Sequence, residues 1–266
     1  MPAAFTQPGF VPPSSVRPTV ARGVVPLRPA NRWPSGQTVG MTPQPSSVDE
    51  ARLAEFLRPF VSAPDRLPAG AAGGAPEVLP GLVAAVAVHR GDQVDFVAWS
   101  SMAELGGPAA AWKTAVGNLR RLSPMTVSRV ETVEGQTDSV VFQLRARDPF
   151  GASRVCDLAG LLARTGVDAA PHGVLIAAPS WHRVLLHVIT GPGVLAALRF
   201  MAESARTVND KAPRPQRVSP DVYFVGPAGA TQTVASSDGA EGLILDTEGE
   251  LGTVLFGPRG LLHDFT

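Results

Sequence analysis

The chain has 266 residues, 44% of them apolar and 17% charged, with equal numbers of acidic and basic side chains. This balance is that of a globular protein, and the zero net charge argues against a nucleic-acid binder, which usually needs a basic excess. The single cysteine, Cys156, excludes an internal disulfide framework. Because neither a signal-peptide pattern nor a bilayer-spanning apolar run is present, we expect a cytoplasmic protein without membrane contacts.

Residues 1–46 form a proline-rich, basic stretch that we interpret as a flexible N-terminal arm. Ten prolines fall within residues 1–48, and no acidic residue precedes Asp49. Proline fixes φ and removes a backbone donor, so neither a helix nor a central strand is expected here. Two interpretations stay open. The stretch is either a solvated tail or an arm that contacts a partner surface through Phe5, Phe10 and Trp33.

Residues 47–62 are predicted to form a short helix, and residues 63–77 a linker. A Ser-x-x-Glu capping box opens the first segment, and apolar side chains then recur at helical intervals. Those side chains are Leu53, Phe56, Leu57 and Phe60. The following Ala-, Gly- and Pro-rich composition is typical of flexible connections.

Residues 78–266 are predicted to be an α+β domain with a mainly antiparallel sheet. Three β-hairpin patterns are each followed by a helical pattern that opens at a proline, and a further hairpin ends the series. The predicted helices cover most of 109–121, 150–164 and 193–207. Hairpins followed by helices indicate one antiparallel sheet, with the helices on one face and an extended N-terminal arm outside it.

Four short motifs resemble those of the YtpQ-like bacterial proteins, a family of uncharacterised function. They are WSSMAELG at 99–106, AVGNLRRL at 115–122, DPFGASR at 148–154 and VLIAAPS at 174–180. The resemblance covers roughly residues 82–225 and implies a shared fold but no reaction. Where the family tends to have Arg-Asp at a hairpin tip, this chain has Trp181 and His182.

No catalytic group, metal site or cofactor is predicted. His172, His182 and His187 lie within sixteen positions, but they lack the tight spacing and acidic or thiol neighbours of a zinc site, and their role stays open. Cys156 precedes Asp157, whose charge would raise the thiol pKa, so we expect a packed cysteine rather than a nucleophile.

The most suggestive segment for binding is the hairpin tip at 180–183. Its candidate contact residues are Ser180, Trp181, His182 and Arg183. A tryptophan at a hairpin tip places a large apolar area near solvent, where aromatic side chains often anchor interfaces. The alternative is that Trp181 folds back onto the domain.

These features favour a non-enzymatic binding or scaffold protein that contacts another protein or a second copy of itself, with the arm as a contact element. The alternative is an enzyme whose cleft is assembled from residues distant in sequence. An enzyme predicts a deep pocket with titratable groups, whereas a binding module predicts an exposed patch or an ordered arm.

Overall fold

The computed structural model of the chain describes residues 39–41, 54–90, 93–237, 243–246, 248–258 and 260–262. Helices and mainly antiparallel strands make up the described chain, which confirms the predicted α+β class. The strands divide between two sheets that pack face to face, where the sequence predicted one. Most of the proline-rich arm lies outside the described residues.

The first sheet has five strands. Its order is β1 (Val39–Met41), β5 (Gln93–Phe96), β4 (Leu82–Arg90) and β2 (Leu57–Ser62), and β3 (Glu77–Leu79) pairs with the start of β4. Among the described strands, only β1 pairs in parallel. The N-terminal segment therefore contributes an edge strand through its last described residues.

The second sheet has seven strands, all paired antiparallel. Its order is β12 (Leu243–Leu245), β11 (Thr231–Ser237), β10 (Val222–Val225), β8 (Val174–Ser180), β9 (Arg183–Val188), β7 (Val140–Arg145) and β6 (Thr126–Glu131). The hairpins β6–β7, β8–β9 and β10–β11 are present as predicted from the sequence. Strand β6 stands at one edge of this sheet.

Helices cover the outer face of each sheet. The helices are α1 (Ala69–Ala72), α2 (Pro108–Leu119), α3 (Leu158–Thr165), α4 (Val194–Lys211) and α5 (Gly249–Phe256). Helix α2 packs on the first sheet, whereas α4 and α5 pack on the second. Helix α3 instead contributes Leu158, Leu161 and Leu162 to the core between the sheets.

Phe60 of β2 occupies the centre of the core between the sheets. Its ring packs edge-on against Phe96, Phe150 and Trp181, with centroid distances of 5.2, 6.1 and 5.0 Å. Edge-to-face packing is the favoured arrangement of aromatic rings. Because Phe60 and Phe96 belong to the first sheet and Trp181 joins β8 to β9 of the second, these contacts tie the two sheets together.

The predicted helix at 47–62 is wrong over its second half, because Leu57–Ser62 is strand β2, paired with β4 along its whole length. Pro59 explains the difference. A proline in a helix interior removes a hydrogen bond and clashes with the preceding turn, whereas an edge strand tolerates it. The apolar repeat at Leu57 and Phe60 reflects burial on the two faces of the sheet.

The predicted linker at 63–77 is also wrong. A 3-10 helix at Pro64–Arg66, helix α1 and the start of β3 fill this segment. Leu67 and Ala71 are buried in the core between the sheets. Small side chains here permit close packing, and the same composition suggested flexibility in the sequence.

The three predicted helices are present, with one change of boundary. Within 150–164, residues Ala152–Asp157 form a 3-10 helix, and α3 begins only at Leu158. The N-cap is therefore Asp157, whose Oδ1 accepts from the Gly160 N–H at 3.4 Å. Gly166 ends α3 in the left-handed conformation, which glycine adopts without strain. Helix α5 had no predicted counterpart, although Leu251 and Leu255 have helical spacing and are fully buried.

Candidate functional site: an arginine cluster beside a free strand edge

The structure buries the residue that most suggested an exposed anchor. Trp181 is only 4% exposed and packs against Phe60, so it belongs to the core. Ser180 is also buried, whereas His182 and Arg183 are half-buried. The other candidate contact residues, Phe5, Phe10 and Trp33, lie outside the described residues.

Backbone hydrogen bonds hold this hairpin tip against two other segments. The Trp181 carbonyl accepts from the Ala152 N–H at 2.8 Å, and the Trp181 N–H donates to the Gln216 carbonyl at 2.9 Å. A Cβ on Gly151 would lie 2.6 Å from the Trp181 carbonyl oxygen, so only glycine fits there. The hairpin tip is therefore packed within the fold, and the burial of Trp181 contradicts an interface role for this side chain.

The three histidines are not brought together on one element face. His187 Nδ1 lies 2.7 Å from the Val140 carbonyl on the outer side of the second sheet, and burial lowers its pKa. His182 Nδ1 lies 2.8 Å from the Asp148 carbonyl at the hairpin tip. Within the described residues, no group of three or more His, Cys, Asp or Glu side chains is arranged to hold a metal ion.

Cys156 is buried in the 3-10 helix that precedes α3. Burial raises the pKa of its thiol, and the neighbouring Asp157 carboxylate raises it further. Both effects disfavour the thiolate, which is the nucleophilic form. The thiol is therefore poorly suited to nucleophilic attack, as its sequence position indicated.

Charged side chains gather where the end of α2, the start of β2 and the 3-10 helix before α3 meet. Here Arg120 binds Asp157 through two parallel hydrogen bonds of 2.9 Å. The Arg120 hydrogen bond is the main reason that the pKa of Asp157 is lowered, although burial opposes it. Arg164 of α3 also acts on Asp157, so this carboxylate faces two guanidinium groups.

Arg154 is the buried centre of the group, with a side chain only 4% exposed. Its Nη2 donates to Asp148 Oδ2 at 2.9 Å and to the Ser123 carbonyl at 3.2 Å. Its Nε and Nη1 find no hydrogen-bond partner in the part of the chain that the structure describes. Burial lowers the pKa of Arg154, and Arg164 adds to this effect, while Asp148 opposes it.

Arg58 of β2 and Arg121 complete the group, which we call the arginine cluster: Arg58, Arg120, Arg121, Arg154 and Arg164, with Asp148 and Asp157. Burial is the main cause that lowers the pKa of Arg58, followed by repulsion from Arg121, with a smaller effect of Arg154. Asp148 is the carboxylate that opposes this effect. The Arg58 Nε is buried and has no hydrogen-bond partner among the described residues.

A small cleft opens at the arginine cluster between α2, α3 and the 3-10 helix. Arg120, Arg154, Asp157 and Arg164 supply its polar lining. Its interior volume of about 10 Å³ is close to the minimum that holds one water molecule. The cleft therefore has no room for a whole small-molecule substrate.

Strand β6 begins three residues after Ser123, which contacts this cluster, and forms an edge of the second sheet that no further described strand pairs with. Five of its six residues are exposed, including Val127, and Val130 is half-buried. Its pairing with β7 runs through all six residues without a bulge. By contrast, Ser153 Oγ covers part of the β2 edge by accepting from the Val61 N–H at 3.1 Å.

The register identifies which backbone groups of β6 point away from the sheet. The Thr132 N–H donates to the Ser139 carbonyl, in register with the β6–β7 ladder. Because antiparallel ladders alternate, Val127, Arg129 and Glu131 direct their N–H and C=O groups outward. Within the described residues, no hydrogen bond reaches these outward groups.

Sequence reasoning missed both this edge and the arginine cluster, which depend on strand order and on contacts between distant segments.

Searches of protein-family models, curated proteins and solved structures find no match to this chain. The resemblance to YtpQ-like proteins therefore stays a prediction. Within the described residues, no helix is long and apolar enough to cross a membrane.

Proposed function

We propose that the protein is a non-enzymatic binding protein that pairs the edge strand β6 with an extended segment of a partner protein. The observation that carries this proposal is the row of outward backbone groups at Val127, Arg129 and Glu131. Strand addition uses such groups for affinity and the alternating side chains for specificity.

Native sheets usually blunt their edges with charged side chains, prolines, bulges, inward-pointing charges or covering segments. Strand β6 carries the charged pair Arg129 and Glu131, but it contains no proline, its register with β7 is continuous, and five of its six residues are exposed. The apolar side chains of Val127 and of nearby Val133 are also exposed. An edge with these properties favours pairing with another chain, which is either a different protein or a second copy.

The test compares two substitutions at one outward position. Arg129→Pro removes an outward N–H without removing a hydrogen bond to β7, whereas Arg129→Ala removes the side chain and keeps the N–H. We expect the proline variant, but not the alanine variant, to retain fewer partner proteins in quantitative affinity capture. If the partner is a second copy, the apparent mass of the proline variant in sedimentation should no longer rise with protein concentration. Far-UV circular dichroism confirms that both variants fold. Equal retention of partners by both folded variants contradicts strand addition.

The N-terminal arm is the second proposed contact element, in a cytoplasmic protein. Strand β1 shows where the arm joins the domain, because Val39–Met41 pairs with β5. Removal of residues 1–36 keeps β1, whereas removal of residues 1–46 deletes it. We expect the shorter truncation to leave the melting temperature unchanged and to weaken partner capture. If it changes neither quantity, the arm is no contact element.

A further inference from the structure

We propose that the arginine cluster binds a carboxylate, supplied by an Asp or Glu side chain of the partner protein. This inference rests on the proposed function, since it names the chemistry of the partner. It arises from three features of the cluster: its charge balance, the unfilled donors of Arg154, and its position beside β6.

The cluster concentrates positive charge in a chain whose formal net charge is zero. Five arginines face two aspartates, which leaves a formal excess of three positive charges. The neighbouring charges that act on the pKa of Arg58 and Arg154 are those of other arginines and of Asp148. The other aspartate, Asp157, is already bound by Arg120. The described cluster therefore favours a further anion.

Arg154 supplies a specific reason for an anion at this position. It lines the cleft, and within the described residues its buried Nε and Nη1 donors have no hydrogen-bond partner. A buried charged donor left unpaired is costly, and an oxyanion satisfies it with a charge-assisted hydrogen bond. Arg164 lines the same cleft and adds a second positive group.

The position of the cleft, rather than its size, selects the source of the anion. Guanidinium groups match both carboxylate and phosphate. The interior volume of about 10 Å³, close to that needed by one water molecule, admits at most a single anion oxygen. A peptide source is favoured by continuity with the strand edge, because the carbonyl of Ser123 binds Arg154 and β6 begins at Thr126. A partner segment paired along β6 therefore passes beside the cluster.

The probe is a capped tetraglutamate peptide, with capped tetraglutamine as the neutral control and inorganic phosphate as the competing anion. The readout is the side-chain Nε–H resonance of Arg154 in the full chain, followed by NMR. We expect a saturable shift with tetraglutamate, with a Kd on the order of 1 mM, and no shift with tetraglutamine. No shift with tetraglutamate up to about 10 mM overturns the inference, and tighter binding of phosphate overturns the choice of a carboxylate.

Two variants test whether tetraglutamate binds at the arginine cluster. The double substitution Arg121→Gln and Arg164→Gln removes two positive charges at the cluster and keeps Arg154. We expect it to weaken tetraglutamate binding by about fivefold or more, since each exposed charge pair contributes modestly. Arg199→Gln, on the exposed side of α4, is the matched control and leaves the affinity unchanged. Equal affinity in the double variant overturns the site.

The two proposals fail separately. The peptide titration measures the cluster without any strand pairing, and Arg129→Pro measures strand pairing without changing the cluster. Tetraglutamate binding together with unchanged capture by Arg129→Pro contradicts only the proposed strand addition. Loss of capture by Arg129→Pro without any tetraglutamate shift contradicts only the carboxylate site.

Discussion

Replacement of Trp181 by alanine tests whether the β8–β9 hairpin tip belongs to the core or to an interface. The indole is 4% exposed and packs edge-on against Phe60 across the two sheets. A buried tryptophan removes about 150–250 Å² of surface from water, which corresponds to about 4–6 kcal/mol at ~25 cal/mol per Å². Measured large-to-small substitutions cost about 3–5 kcal/mol. We therefore expect Trp181→Ala to lower the free energy of unfolding by about 4 kcal/mol.

The assay is urea unfolding followed by far-UV circular dichroism, since fluorescence would change when an indole is removed. For a domain of this size, the expected loss corresponds to a fall in melting temperature of about 8–16 °C. Trp181→Phe keeps an aromatic ring against Phe60 and should lose distinctly less. A loss below about 1 kcal/mol in Trp181→Ala, at unchanged urea dependence, would refute the assignment of this side chain to the core.

Three further predictions follow from burial and charge. Leu198→Ala should cost about 2–5 kcal/mol because Leu198 is fully buried, whereas Leu195→Ala, 43% exposed on the same helix, should cost less than about 0.5 kcal/mol by thermal unfolding. Asp157→Asn keeps a capping side chain but loses the charge that binds Arg120, so it should destabilise by up to about 1 kcal/mol at pH 7. Because the folded pKa of Asp157 is lowered, the difference in stability between the wild type and Asp157→Asn should persist above the unfolded pKa near 3.9. It should vanish as the pH falls through the folded pKa. Equal pH dependence of the two stabilities would contradict this prediction. Because burial lowers the pKa of His187, its imidazole should titrate below the ordinary histidine pKa of about 6.5, and its ring nitrogen shifts measure this directly.

Local sequence patterns predicted those elements whose boundaries are set by residues within the element itself. Pro108 opens α2 because its missing N–H is not needed in the first helical turn. Gly166 ends α3 because glycine adopts the left-handed conformation without strain. Strand-like runs separated by turn residues identified the β6–β7, β8–β9 and β10–β11 hairpins. The α+β class followed from these local signals.

Local patterns misassigned the segments before residue 80, where pairing partners lie far along the chain. Strand β2 pairs with residues 83–88, and only this sheet contact converts a helical apolar repeat into a strand. Ala71 is buried because strands and loops from other parts of the chain close over it. Propensity is a weak prior in such segments, and tertiary contacts override it.

Tertiary structure alone decided where the candidate site lies. The sequence left Trp181 either exposed at a hairpin tip or folded back onto the domain. In the structure, the segments at 146–152 and 216–219 cover the hairpin tip and bury this side chain. The arginine cluster combines residues between positions 58 and 164, so a motif of neighbouring residues does not identify it. Strand β6 resembles any other strand in sequence, and it becomes an open edge only because the second sheet ends there. Burial and strand order depend on long-range packing, which local residue patterns do not encode.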